Sequence, residues 1–500
     1  MAQRIIQRHR KVSINAIASF CQVIVVGICY FFLYKYLLKT LGAKELGLWS
    51  LILASSSVAS IGQLGIGGSV VKFVAAGDAN KDLKKIITVV HTGLLTIIVF
   101  VGLLSLILYF ALPRILKSVV TADLFPLALQ LIPLSLSCLV LSTCASVFVS
   151  TIEGIQFIYI RNLIIAFLTI LYFLLVVLFV PHYGLLGVAY AQIIQASLML
   201  ILNMIVVYIK VPGFGMLRIK LQKEVFKELF SYGLNVQVMS LCGLLFDPIT
   251  KYFLSRFGDL SITGYYEMAN KLITQMRAMI VSTMQVIVPA ISNAHEKGFT
   301  NIKQLFLKWF PYLFFVTIIL ITYIIGLADY ISVIWIGKVE HIFSYILVCI
   351  SAGWFFNIIS AYPYFINMGT GILKWNVISL LTLATFNVIC CYVFGRFLGG
   401  YYVVFGPAFA LIAAAVVLFW GFCRQNEIKI KELFSRNNLI IFLVAFTGII
   451  VSYFFFRIAH DSLPFIMLLF INILFITLLL YFNPVTIIMK SDILYLVKRN

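Results

Sequence analysis

Long uninterrupted apolar runs constrain this chain more than any other feature. Runs of roughly 20 residues recur along the sequence, and each can cross the ~30 Å hydrocarbon core of a bilayer as a helix. Hydrophobic residues make up 63% of the chain and charged residues 11%, and the mean hydropathy is +1.09. Soluble domains do not have this composition, so we predict an all-α polytopic membrane protein.

The apolar runs predict fourteen transmembrane helices. Lysine and arginine are concentrated at the two ends of the chain and in the even-numbered loops, so the positive-inside rule predicts that both termini are cytoplasmic. The same rule accounts for the net charge of +20 without a nucleic-acid partner. The predicted spans are 12–34, 46–66, 86–112, 125–150, 162–181, 184–209, 228–254, 264–290, 305–327, 340–365, 375–395, 402–423, 437–457 and 462–482.

Sequence signatures of enzymes and metal sites are missing. The chain has no GxxxxGK[ST] motif for ATP, and its six histidines show no metal-ligand spacing. The nine cysteines lie almost all in apolar segments without a CxxC pair, which is typical of small core residues. The first apolar run is too long for a signal peptide and is not followed by a cleavage site. We therefore expect a protein that is not an enzyme and has no cofactor, driven by an ion gradient, a substrate gradient or coupling to other steps.

The sequence repeats itself at a nearly constant offset. Lys35–Trp49, KYLLKTLGAKELGLW, matches Lys251–Tyr266, KYFLSRFGDLSITGYY. Gly187–Ala191 matches Gly406–Ala410 at almost the same offset, and a third, weaker match lies between them. Helices one to six and seven to twelve are thus predicted to be two copies of one six-helix unit, in the same topology because six is even.

This repeat predicts the domain organisation. We expect an N-terminal lobe over 1–210, a cytoplasmic linker over 211–227, a C-terminal lobe over 228–424, and two additional helices with a cytoplasmic tail over 425–500. Transporters built from paired repeats bind their substrate between the halves, near the middle of the membrane. The repeat therefore indicates a transporter.

A polar stripe runs along the eighth predicted helix. Glu267, Asn270, Lys271 and Arg277 fall within about a third of the helix circumference. A charge at the bilayer centre costs on the order of 2.5–3.5 kcal/mol, so the stripe should face other helices or a water-filled cavity. Glu267 and Lys271 have the alternative of forming an intrahelical pair. Arg277, about 9 Å deeper than Lys271, is predicted to line a functional cavity.

Three further polar residues are candidates. Asp247 lies inside the seventh helix, and we hypothesise that it pairs with Lys271 or Arg277; alternatively, Pro248 kinks the helix and Asp247 reaches the outer water. Lys72 follows a glycine-rich stretch and either points into the inner mouth or is an ordinary loop lysine. Asn235 in the seventh helix either lines the cavity or bridges helices.

Three motifs carry a resemblance to a known family. They are LGxxxxGLW at 41–49, GIG at 65–67 and FGxxxxxGYY at 257–266. With the helix count, they resemble bacterial polysaccharide transporters, the O-antigen and exopolysaccharide repeat-unit flippases (Wzx-like) of the MOP superfamily. The resemblance implies a V-shaped, two-lobed bundle in the bacterial inner membrane. It would move an undecaprenyl-diphosphate-linked oligosaccharide from the cytoplasmic to the periplasmic leaflet by alternating access, coupled to H⁺ or Na⁺.

The resemblance also suggests roles for the candidate residues. Lys271 and Arg277 would donate charge-assisted hydrogen bonds to the diphosphate. Glu267 or Asp247 would bind the coupling cation or proton. The remaining cavity candidates are Lys72, Asn270 and Asn235. Besides the lipid-linked substrate and the membrane, the expected partners are a polysaccharide polymerase and the chain-length machinery.

Three other functions remain open. A multidrug exporter would share the fold, but its cavity is expected to be mainly acidic, whereas this stripe carries two cations and one anion. A lipid II flippase also has fourteen helices and a cationic cavity. A membrane glycosyltransferase, such as a polymerase or ligase, usually has a large periplasmic loop, and every predicted outer loop here is short.

Overall fold

A computed structural model describes residues 2–63, 65–215, 222–285 and 302–429, together with residues 432, 448, 467, 470, 471, 473, 474 and 477. Throughout these ranges the regular structure is helical. The helices are α1 Ala2–Ser57, α2 Ile66–Ala79, α3 Leu83–Leu116, α4 Phe125–Gly154, α5 Ile158–Tyr183, α6 Leu185–Lys210, α7 Lys223–Phe257, α8 Leu260–Gln285, α9 Ile302–Gly326, α10 Ala328–Ile336, α11 His341–Thr370, α12 Lys374–Phe397 and α13 Phe405–Gln425. Single 3₁₀ turns cover Val58–Gln63 and Gly400–Val404.

The predicted all-α membrane fold is confirmed. Nine segments of the described chain are long and apolar enough to cross a membrane. The first twelve predicted spans coincide with described helices, apart from residue 64 and residues 286–290, which lie outside the described residues. The first span lies on the kinked helix α1 and the second begins on it. The spans predicted at 437–457 and 462–482 lie almost entirely outside the described residues. Two short helices, α2 and α10, had no counterpart in the prediction.

Helix α1 bends at Gly42. This residue has φ 82° and ψ 171°, a backbone conformation that glycine adopts readily and other residues rarely do. The bend lies between the two apolar runs, at the break predicted between the first and second spans. Gly65, at φ 67°, then begins α2, where the sequence analysis had placed the end of the second span.

The chain packs as two compact units, Met1–Glu267 and Met268–Asn500. In the first unit α7 packs against α1, α2 and α3, and its Leu229 joins a buried cluster that includes Val70 and Phe148. In the second unit, the ring of Phe306 stacks on Tyr362 and packs at a tilt against Phe422 where α9, α11 and α13 meet. The lobes predicted from the repeat, with their linker at 211–227, stay a prediction.

Two glycines from matching positions of the repeat bring α1 and α8 into direct backbone contact. A Cβ on Gly47 would overlap the carbonyl of Leu260, and a Cβ on Gly264 would overlap the carbonyl of Ala43. The contact is reciprocal, because each glycine faces the other helix in the same way. Only residues without a Cβ permit this separation, so these two glycines determine how closely the helices cross.

We predict that Gly47→Ala destabilises the protein, because the added methyl group must push α1 away from α8. Overpacking of this kind costs about 1–3 kcal/mol of unfolding free energy, measurable by unfolding of the purified protein in detergent. Gly102→Ala is the matched control, since its Cβ would meet no described atom within 4 Å. Equal stability of the two variants would contradict the tight contact.

Candidate functional site

Lys251 is the centre of a buried charged network. It lies on α7 with only 4% of its surface exposed. Its ammonium forms ion pairs with Asp247, one turn earlier on the same helix, and with Glu267 of α8, where Nζ and Oε2 are 2.7 Å apart. A buried lysine of this kind requires partners of opposite charge, and here two carboxylates provide them.

Glu267 connects this network to α1. The hydroxyl of Tyr34 donates to Oε1 at 2.6 Å, and the hydroxyl of Ser50 donates to Oε2 at 3.0 Å. Tyr34 precedes the bend at Gly42 and Ser50 follows it, so one carboxylate holds both halves of α1. Each oxygen of Glu267 therefore accepts from at least one donor.

The glycine contact explains why these groups meet. Ser50 and Glu267 each lie three residues after a contact glycine, Gly47 and Gly264 respectively, and so on the same helix face one turn further on. The close approach at the glycines leaves just enough room for a hydroxyl–carboxylate hydrogen bond. The two halves of the repeat thus present a serine and a glutamate at equivalent positions.

A second polar cluster surrounds Arg277, in the other unit. The Nε–H of Arg277 on α8 donates to Oδ1 of Asn357 on α11 at 2.7 Å. Its guanidinium lies over the ring of Trp354, 5.4 Å from the ring centre. The indole N–H of Trp354 in turn donates to Oδ1 of Asn270 at 3.1 Å. Asn357 thus holds the guanidinium at its Nε edge, and Trp354 covers one of its faces.

The charge of Arg277 is not neutralised by a carboxylate within the described part of its own unit. Asn357 is neutral, and a cation–π contact leaves the positive charge in place. The two terminal amino groups of the guanidinium form no hydrogen bond in that part of the chain. Arg277 can therefore still offer a bidentate donor pair to an anion.

The structure distributes the predicted site residues over both clusters. Arg277 and Asn270 meet around Trp354, whereas Asp247 and Glu267 gather around Lys251. Lys271 is half-buried on α8 between the two clusters. Lys72 is exposed on α2, with its ammonium 5.6 Å from the centre of the neighbouring Phe73 ring.

Two of the predictions, on Asn235 and on the partner of Asp247, stay predictions. The side chain of Asn235 lies outside the described residues. The ion-pair partner found for Asp247 is Lys251, which the sequence analysis did not select, and a pairing of Asp247 with Lys271 or Arg277 stays a prediction.

Sequence reasoning missed Lys251, Tyr34 and Ser50. For Lys251 a signal was present, since it follows Asp247 by four residues on one predicted helix, the spacing of an intrahelical ion pair. For Ser50 the signal was the repeat, which aligns it with Glu267. Tyr34 had no such signal, because its contact with Glu267 joins residues far apart in the sequence.

Known structures show the same fold. The lipid II flippase MurJ aligns with a TM-score of 0.72 at 16% identity, covering 96% of this chain and 99% of that one. A multidrug resistance MATE family transporter aligns at 0.66 with 14% identity, covering 82% and 98%. A MOP superfamily transporter from Pyrococcus furiosus aligns at 0.62 with 14% identity, covering 83% and 95%. The chain thus has the fold of multi-pass MOP superfamily transporters.

The family follows from the sequence itself. Residues 12–295, more than half of the chain, match the family described as "Polysaccharide biosynthesis protein". The chain belongs to this family, and the resemblance stated from its motifs is confirmed. No curated protein shows a sequence match to the chain.

We predict that Lys251→Met strongly destabilises the protein. Removing one member of a buried ion pair leaves the remaining charge uncompensated and costs about 3–5 kcal/mol of unfolding free energy. The measurement is unfolding of the purified variant in detergent at neutral pH.

Lys72→Met is the matched control for this prediction. It removes the same ammonium from an exposed site, so its stability should stay near that of the wild type. If both variants unfold like the wild type, Lys251 does not carry the structural role assigned to it.

Proposed function

We propose that this protein is a flippase for a lipid-linked oligosaccharide. It moves an undecaprenyl-diphosphate-linked polysaccharide repeat unit, of O-antigen or a related polymer, from the cytoplasmic to the periplasmic leaflet of the bacterial inner membrane. The mechanism is alternating access, with both termini in the cytoplasm and no chemical change to the substrate. Membership of the polysaccharide biosynthesis family and the fold shared with a lipid II flippase support this proposal.

The observation that carries the proposal is the charge state of the Arg277 cluster. A guanidinium held by a neutral asparagine and a tryptophan keeps its full positive charge and two hydrogen-bonding amino groups. A diphosphate supplies the matching negative charge and paired oxygen acceptors. Arg277 is thus the residue that we assign to the diphosphate, and Lys271, on the same helix, is a second cation for it.

Neighbouring groups suit the sugars of the same substrate. Asn357 and the Trp354 indole contact Arg277, and Asn270 accepts a hydrogen bond from that indole, so the cluster offers amide groups and an aromatic surface. Saccharides bind through such hydrogen bonds and by packing of their C–H faces on aromatic rings. We also propose Lys72 and Asn235 as contacts of this substrate along its path, on the grounds of charge and position in the sequence.

The Lys251 cluster suits the coupling of transport to an energy source. A carboxylate pair around Lys251 is the part of the described chain where a coupling cation or proton changes the charge balance most directly. We propose Glu267 and Asp247 as the groups that couple transport to H⁺ or Na⁺. A polysaccharide polymerase and the chain-length machinery would act on the unit after its release, and we propose them as partners.

Lipid II transport is the second candidate. It is favoured by the length of the MurJ alignment, which covers 96% of this chain, whereas the MATE alignment covers 82%. Lipid II is also a polyprenyl diphosphate that carries sugars, so the same arginine would serve. Export of cationic drugs is disfavoured, because Arg277 would repel such a substrate.

We predict that Arg277→Ala abolishes translocation. In a strain lacking the chromosomal gene, this variant at wild-type protein level should leave the lipid-linked unit in the cytoplasmic leaflet and reduce surface polysaccharide by about tenfold or more, as expected for loss of a charge-assisted hydrogen bond. Arg277→Lys should retain an intermediate level, because lysine keeps the charge but not the two-pronged geometry.

Arg424→Ala is the matched control, since Arg424 also lies over a tryptophan, Trp420, but is exposed on α13. Surface polysaccharide should be unaffected by this variant. Normal surface polysaccharide in the Arg277→Ala strain would contradict the assignment of Arg277 to the diphosphate. Normal surface polysaccharide in the deletion strain would contradict the repeat unit as the substrate. Arrested growth of that strain would then indicate lipid II as the substrate, and raised drug sensitivity would indicate drugs.

A further inference from the structure

Asn357 lies near the middle of α11, which runs from His341 to Thr370. In a helix that spans the membrane this is the depth farthest from water on either side, where an isolated charge is most costly. Its Oδ1 accepts the Nε–H of Arg277 at 2.7 Å, so the arginine of α8 is held against this part of α11. Both side chains are half-buried, and a part of each therefore stays open to a ligand.

Carboxylates are absent from this depth in the described part of the second unit. A carboxylate is the usual partner of a buried cation, and Lys251 of the first unit has two of them. In the second unit, Glu340 and Glu432 form ion pairs with Lys338 and Lys303. The carboxylates described there all lie in the first turn of a helix or outside the helices of that unit, and they are Asp329, Glu340, Glu427 and Glu432.

We propose that Asn357 is a positioning residue that sets the charge selectivity of the Arg277 cluster, because its neutral amide orients the guanidinium without cancelling the positive charge. The cluster thereby selects an anionic ligand. The inference rests on the proposed function for the identity of that ligand, a lipid diphosphate. The choice between an anionic and a neutral ligand is a property of the purified protein and is measured on it directly.

The chemistry of position 357 explains this role. Asparagine and aspartate have nearly the same shape, and the side chain of either can accept the Nε–H of Arg277. An aspartate would also form an ion pair with Arg277, so the two side chains together would carry no net charge. The asparagine supplies the hydrogen bond alone, and the guanidinium keeps its charge for an incoming phosphate. The neutrality of Asn357 therefore matters as much as its hydrogen bond.

Trp354 restricts the same guanidinium in a second direction. It lies one turn before Asn357, on the same face of α11, with its ring centre 5.4 Å from the guanidinium carbon of Arg277. Its indole N–H donates to Oδ1 of Asn270, which holds the ring in place. The amide occupies the Nε edge and the ring covers one face, so the edge with the two terminal amino groups is left for a ligand. This edge matches the paired oxygens of a phosphate.

Two substitutions separate the neutrality of Asn357 from its hydrogen bond. Asn357→Asp keeps the acceptor and adds a charge, whereas Asn357→Leu keeps the neutrality and approximate volume but removes the acceptor. In thermal unfolding we expect Asn357→Asp to be at least as stable as the wild type, because Arg277 gains an ion-pair partner. Asn357→Leu should be less stable, because the Nε–H loses its acceptor.

The order should reverse when ligand selectivity is measured. Farnesyl diphosphate and the neutral farnesol are bound to the purified full-length protein in nanodiscs, and the ratio of their dissociation constants is compared between proteins, so that partition into lipid cancels. In Asn357→Asp the preference for the diphosphate should fall about tenfold or more, as expected for loss of a charge-assisted contact. In Asn357→Leu most of the preference should remain, together with its sensitivity to salt.

Asn80→Asp is the matched control, since it adds the same charge at an exposed position just after α2. Both its unfolding temperature and its preference for the diphosphate should stay near those of the wild type. If Asn357→Leu does not fold, Asn357→Ser, which is also neutral and cannot pair ionically with Arg277, replaces it in the comparison.

Three outcomes would overturn the role of Asn357. The first is an Asn357→Asp protein that keeps the wild-type preference or unfolds well below the wild type. The second is an equal loss of preference in the neutral variant, since the hydrogen bond alone would then matter. The third is a wild type that binds both probes equally. Failure of the proposed function is seen separately, as normal surface polysaccharide in the deletion strain, and leaves the binding measurement on the purified protein intact.

Discussion

The cost of placing a charge inside a membrane governs both polar clusters of this protein. Lys251 is buried and pairs with both Asp247 and Glu267, so each charge of this cluster has a partner of opposite sign within the chain. Within the described part of its unit, Arg277 contacts a neutral amide and an aromatic ring, so these neighbours orient its charge but do not cancel it. The first cluster therefore holds helices together, and we propose that the second binds an anion that arrives from outside the chain.

The internal repeat gives the Lys251 cluster its geometry. Gly47 and Gly264 occupy matching positions and pack against each other, and the residues one turn later, Ser50 and Glu267, are then close enough to hydrogen-bond. One repeat supplies a hydroxyl and the other a carboxylate. The same position of the motif thus carries a neutral side chain in one copy and a charged one in the other.

Sequence predicted the parts of this account that depend on local patterns. Apolar length predicted the helices, and the need to keep charge away from lipid predicted that the polar stripe with Arg277 faces other helices or a water-filled cavity. The partners of these residues were harder to predict, because Tyr34 and Trp354 reach their contacts through tertiary packing of distant segments. Helix α2 was missed because it is too short to span a bilayer, so hydropathy carried no signal for it.

The most direct test of the account is equilibrium binding of a short-chain polyprenyl diphosphate to the purified protein, compared with the neutral prenol of the same chain length. If Arg277 awaits an anionic head group, the diphosphate should bind at least about tenfold more tightly, a difference of about 1.4 kcal/mol, and added salt should reduce this preference. Equal binding of the two lipids at low salt would contradict the claim that the unbalanced charge of this cluster recognises the substrate.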